Sequence, residues 1–221
     1  MSEHCFELRA GKISTRRRAP TEPALPFAHE EDLQALVAGW PWISAAPPLL
    51  LAEEDDPVTW VGDGGDRSDL LGVSSKGRAV AAELLLEPFV GRKPAMKSLL
   101  RGLCRLHEHG ADPARVLSPY PLDAQQPMTA ILVGDGTVFP KDDKQLKKIS
   151  KDWLELLAQP GEAWSVRKDD EKDRSDRRTP AWVGSLGGQP LHFVVLSLLR
   201  HLDGRKVVVT CRRHLLLDGN S

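Results

Sequence analysis

Residues 67–86 run Arg67-Ser68-Asp69-Leu70-Leu71-Gly72-Val73-Ser74-Ser75-Lys76-Gly77-Arg78-Ala79-Val80-Ala81-Ala82-Glu83-Leu84-Leu85-Leu86. Two apolar runs rich in Leu and Val flank Ser74-Ser75-Lys76-Gly77, whose polar residues and glycine suit a tight turn, so the stretch predicts a β-hairpin. Each run carries one acid, Asp69 at the start of the first strand and Glu83 inside the second. A bare carboxylate on a core strand is too costly to keep, so it must be paired, protonated or bound to a cation. Side chains alternate along a strand, which puts Ala79, Ala81, Glu83 and Leu85 on one face and Val80, Ala82, Leu84 and Leu86 on the other. Two such acids on adjacent strands point to a site.

Toward the N-terminus, Val58-Thr59-Trp60-Val61 has strand composition and is expected to pair with the Asp69 strand. Before it, Leu33, Leu36, Val37 and Trp40 recur at helical spacing behind Glu30, Glu31 and Asp32, acids that a helix dipole favours in the first turn. Gly39 and Pro41 end that helix. Toward the C-terminus, Pro94 opens a helix to about His107 whose buried face is Met96, Leu99, Leu100, Leu103 and Leu106. Beside that stripe Lys93, Lys97, Arg101 and Arg105 recur every four residues, a basic ladder that counterion release would draw to a polyanion. After a proline-rich connection, Met128 to Val133 reads as a buried strand, and a crossover of this length favours parallel pairing.

At these residues the chain resembles the PD-(D/E)XK nuclease superfamily, whose members carry an Asp at the start of one strand and an acid-x-Lys on the next. Ser68-Asp69 matches the first element and Glu83-Leu84-Leu85 the second, while Gly62-Asp63-Gly64-Gly65-Asp66-Arg67 is similar to the family's lead-in. The position of the motif Lys is Leu85. The resemblance runs from about Glu30 to Val133 and implies an α/β restriction-endonuclease-like core: helix, three-stranded meander, helix, strand. It implies a metal-dependent DNA phosphodiesterase, an endonuclease using Mg2+ with Mn2+ as substitute. Asp69, Glu83 and the carbonyl of Leu84 would hold the metal, with an acid of the first helix, Glu30 or Glu31, as a third carboxylate. Lys93 and Lys97 are the candidate stand-ins for the missing Lys, and Lys93, Lys97, Arg101 and Arg105 the candidate nucleic-acid contacts. Because Leu85 can neither orient a water nor steady charge, the alternative is a catalytically degenerate nuclease-like domain, kept as a nucleic-acid-binding or protein-interaction module.

The rest of the chain sets bounds. With 30 basic and 31 acidic residues among 221, the net charge of -1 gives no global positive field, so any nucleic-acid surface must be local. Cys5, Cys104 and Cys211 lack paired metal spacing and imply a reduced, cytoplasmic compartment. Cys104, His107 and His109 stand close together but do not supply four zinc ligands, and histidines before Gly110 suit a helix C-terminus. No stretch is long enough to span a bilayer. Residues 1–27, with Arg16-Arg17-Arg18 and three prolines, are expected as a flexible tail, 28–140 as the nuclease-like core and 141–221 as an α/β C-terminal extension. In that extension Leu146, Ile149, Trp153, Leu156 and Leu157 predict a helix from about Asp142, and 167–178 a charged loop. Leu191, Val194, Val195, Leu198, Leu199 and Leu202 suit a further helix ended by Gly204, and Val207 to Thr210 a strand. The expected partner is DNA, with a protein partner and self-association as a homodimer as the other candidates, and no membrane.

Overall fold

A computed structural model describes residues 2–9, 12–16, 20–21, 23–38, 58–62, 70–86, 92–109, 121–138, 142–160, 162–168, 182–203 and 206–217. In chain order the elements are β1 (Ser2–Arg9), β2 (Lys12–Arg16), α1 (Glu30–Ala38), β3 (Val58–Gly62), β4 (Leu70–Ser74), β5 (Ala79–Leu85) and α2 (Arg92–His109). There follow β6 (Met128–Asp135), α3 (Asp143–Leu157), β7 (Trp164–Lys168), β8 (Trp182–Leu186), β9 (Gln189–Asp203) and β10 (Lys206–Leu217). The class is α/β, with a mixed sheet of ten strands among the described residues, ordered β2-β1-β10-β9-β6-β5-β4-β3 with β7 and β8 joined beside β9.

The hairpin turn forms where its chemistry demands. Gly77 adopts φ 81, which a side chain rarely tolerates, and its N–H donates to Ser74 O at 2.9 Å. β4 and β5 pair antiparallel from Leu70↔Ala82 to Val73↔Ala79, and β3 pairs antiparallel with β4. β6 lies parallel to β5, and β9 parallel to β6, so the middle of the sheet is parallel. α2 returns between β5 and β6 and buries Met96, Leu99, Leu100, Leu103 and Leu106. Each such side chain contributes about 1.5–3 kcal/mol through apolar burial. Asp142 caps α3, its Oδ1 accepting from Gln145 N–H at 2.8 Å.

Two apolar clusters sandwich the sheet. On one face α2 and α3 cover Leu71, Ala79, Ala81, Ala130, Leu132, Phe193 and Val195, with Trp153 of α3 stacked on Phe193 at 3.8 Å between ring centres. On the other face α1 lays Leu33 and Val37 over Val80, Ala82, Leu84, Ile131, Val133, Val194 and Leu196.

Three expectations are corrected. The segment expected as a tail supplies β1 and β2, and β1 pairs with β10 from Ser2↔Arg213 to Leu8↔Val207. Farther along it, Leu25 bridges to Arg200 and Phe27 is buried. Backbone ladders recruit a strand without requiring a continuous apolar run, so the polar composition misleads. The helix expected over 191–202 is instead strand β9. A strand buried on both faces is apolar at consecutive positions, and a subset of those positions also fits helical spacing. Leu191, Phe193 and Val195 enter one cluster, and Val194, Leu196 and Leu198 the other. Finally, the extension is no appendage to the sheet, because β9 and β10 lie between β6 and β1. Of the charged loop expected at 167–178, Arg167 and Lys168 belong to β7 and the remainder lies outside the described residues.

Candidate functional site

Among the described residues Glu83 is one of the few charged side chains buried in the sheet. It sits on β5 in register with Leu132 of β6, and strand alternation gives it the face of Ala79, Ala81 and Leu85, beneath the α2 and α3 layer. It is not an unpartnered carboxylate. Leu85, at the position of the motif Lys, is partly buried and packs against the same apolar cluster. Asp69, the other expected metal ligand, lies outside the described residues.

The remaining expected residues do not converge on Glu83. Glu31 is exposed in the first turn of α1, and α1 covers the opposite face of the sheet. Lys93 reaches across to α3, its Nζ donating to Glu155 Oε2 at 3.0 Å and lying 3.7 Å from Asp152 Oδ1. That hydrogen bond and charge of Glu155 raise the Lys93 pKa above the ordinary lysine value, and Lys93 in turn lowers that of Glu155. Lys97 Nζ stands 4.0 Å from Glu162 Oε1. Arg101 and Arg105, farther along α2, are exposed. The basic ladder therefore divides into two lysines alongside acids, Lys93 itself remaining exposed, and two exposed arginines.

The acids that engage the lysines carry no sequence signal for that role. Lys93 and Glu155 are 62 positions apart, and only the packing of α2 and α3 on one core brings them together. Lys151, at 3.7 Å, is a second cation for Glu155 and is its i−4 neighbour, the one pair a helical spacing rule would find.

A second buried acid, Asp135, closes β6 on the α1 side, and its acceptor capacity is taken up by the chain itself. Its Oδ2 accepts from Phe27 N–H at 2.7 Å, and its Oδ1 from Thr137 N–H at 2.8 Å and Thr137 Oγ1 at 2.7 Å. Through these bonds Asp135 anchors the N-terminal segment to the sheet. Arg200 adds to that anchor, donating to Pro26 O at 2.8 Å with its guanidinium 5.1 Å from the centre of the Phe27 ring.

Among the described residues no group of three or more His, Cys, Asp or Glu side chains is placed to hold a metal ion. Of the carboxylates expected to bind Mg2+, Glu83 is buried on β5, Glu31 is exposed on α1 and Asp69 lies outside the described residues, so the described residues do not by themselves fit a metal centre. Cys104 is half-buried on α2, and burial, with the charges of Glu108 and Glu162, pushes its thiol pKa up and away from the reactive thiolate. Among the described residues no helix is long and apolar enough to cross a membrane. Comparison with protein-family models, with curated proteins and with solved structures finds no match.

Proposed function

We propose that this chain is a degenerate PD-(D/E)XK-like domain that binds DNA through α2 and does not cut it. The order α1, the meander β3-β4-β5, α2 and the parallel strand β6 supports a restriction-endonuclease-like core, as does an acid on the third strand of the meander. One observation carries the loss of cleavage. Leu85 packs, partly buried, against the apolar core, and both lysines that could replace the motif cation stand beside carboxylates on or beyond α3. A cation held at 3.0 Å by its own carboxylate is a poor stabiliser of charge developing on a phosphate. Binding needs less: exposed Arg101 and Arg105 offer planar guanidinium forks suited to phosphate oxygens, without sequence preference.

The test is to incubate the protein with labelled duplex and single-stranded DNA in Mg2+ and in Mn2+, following binding and cutting together. Retarded but intact DNA is expected. Cutting that Glu83→Gln abolishes would overturn the proposal.

Such cutting would establish the second reading, a weak metal-dependent phosphodiesterase, which the burial of a carboxylate at Glu83 favours. That reading requires Asp69 to face Glu83, one step beyond the Leu70↔Ala82 pair. Isothermal titration of Mg2+ into the protein checks it, because binding would have to vanish in both Asp69→Ala and Glu83→Ala.

A further inference from the structure

At the end of the sheet away from Glu83, where β5, β6 and β9 begin, a cavity of about 250 Å3 opens beneath the last turn of α2. Ala79, Leu122 and Met128 give it an apolar lining, and Asp123, Gln189 and His107 supply the polar groups.

Its walls are held in place by bonds the cavity does not need for itself. Asp123 N–H donates to Gly77 O at 2.9 Å, and Asp123 Oδ1 accepts from Gln125 N–H at 2.8 Å, which fixes the carboxylate in an Asx turn. The contact with Gly77 is so close that a Cβ there would lie 2.8 Å from Asp123 N and from Pro121 O. On the other side the His107 ring rests on the β8–β9 turn, where a Cβ on Gly187 would lie 2.8 Å from Nε2. The site is therefore largely preformed, as small-molecule sites usually are.

The charge is one-sided. Among the described lining residues there is an Asp but no Lys or Arg, and the C-terminal end of α2 adds the negative pole of its dipole. Gln189 offers a carbonyl acceptor, and the His107 ring offers one wherever it carries a single proton. No Phe, Tyr or Trp is among the described lining residues, so a quaternary ammonium, which prefers aromatic faces, has little to hold it. A cation with N–H donors does. At ~30 Å3 per water the cavity has room for roughly eight water-sized groups, which suits a fragment-sized ligand.

We propose that this cavity binds a small organic cation, a primary ammonium on a short apolar body, with Asp123 as the counter-charge. The site lies apart from Glu83 and is independent of the DNA-binding reading.

The chain has three methionines, and two of them report on the question, Met128 lining the cavity and Met96 on the buried face of α2. In protein carrying 13C-methyl methionine, n-butylamine at neutral pH is expected to move the Met128 methyl resonance and leave Met96 in place. 1-Butanol and butyltrimethylammonium, of similar apolar length, are expected to bind at least about tenfold more weakly. Asp123→Asn keeps an oxygen for the Asx turn and removes the charge, and should weaken n-butylamine about tenfold. The Met96 resonance at its wild-type position certifies that each variant is folded. Ala124→Leu, at an exposed lining position, should weaken binding without altering the acceptors. Equal shifts with 1-butanol, an unchanged affinity in folded Asp123→Asn, or a Met128 resonance that n-butylamine does not move would each overturn the proposal.

Discussion

The two halves of α2 carry basic residues at one spacing and use them differently. In the first half Lys93 and Lys97 turn to Asp152, Glu155 and Glu162, whereas in the second Arg101 and Arg105 stand in solvent. The difference lies in the neighbours: α3 and the residues after it bring carboxylates alongside the first half. A row of charge along a helix is thus a statement about one surface only, and a second element decides whether it faces a ligand or an internal partner.

The largest effect is expected where α3 loses its seat on the sheet. Trp153 is fully buried and stacked on Phe193, and Trp153→Ala should cost about 3–5 kcal/mol, read as a lower midpoint in chemical denaturation. An effect below about 1 kcal/mol would mean that α3 is not held as described.

Glu155→Gln combined with Glu162→Gln removes the hydrogen-bonded acid of Lys93 and the neighbour of Lys97, leaving Lys93 only Asp152 at 3.7 Å, and DNA affinity should rise a few-fold at low salt, with little change in the denaturation midpoint. Unaltered affinity in an electrophoretic titration would place the lysines away from the DNA path.

The smallest effect concerns pH. Glu155 has a lowered pKa in the fold, so its contribution is present above the ordinary carboxylate value and is lost as pH falls through the lowered one. Lys93 has a raised pKa, so its contribution is present below the ordinary lysine value and is lost as pH rises through the raised one. The stability difference between wild type and Glu155→Gln should therefore be flat across neutral pH and shrink only in acid or strong base. A step near pH 6–7 in denaturation midpoints would implicate a histidine instead.

How much of this was legible follows from which interactions are local. The β4–β5 hairpin could be read because Ser74-Ser75-Lys76-Gly77 is its own turn, and the buried face of α2 because Met96, Leu99, Leu100, Leu103 and Leu106 keep one periodicity. The two-residue turn at Gly187-Gly188, with φ 57 and 84, carried the same kind of signal beside β9, but a helical reading of the leucines that follow concealed it. β1 was not legible, since its place rests on a ladder with β10 from the far end of the chain. At the site, Glu83 was found as an acid in an apolar strand, and the division of the basic ladder was not, because contacts across 62 positions leave no spacing to read.

The division of α2 is tested most directly by the salt dependence of DNA binding for wild type, Lys93→Gln with Lys97→Gln, and Arg101→Gln with Arg105→Gln. If the arginines carry the phosphates and the lysines are engaged by Asp152, Glu155 and Glu162, the arginine pair should lower the log–log salt slope by about 2 while the lysine pair leaves it nearly unchanged. Equal losses from the two pairs, or a larger loss from the lysines, would contradict the division of α2 on which the account rests.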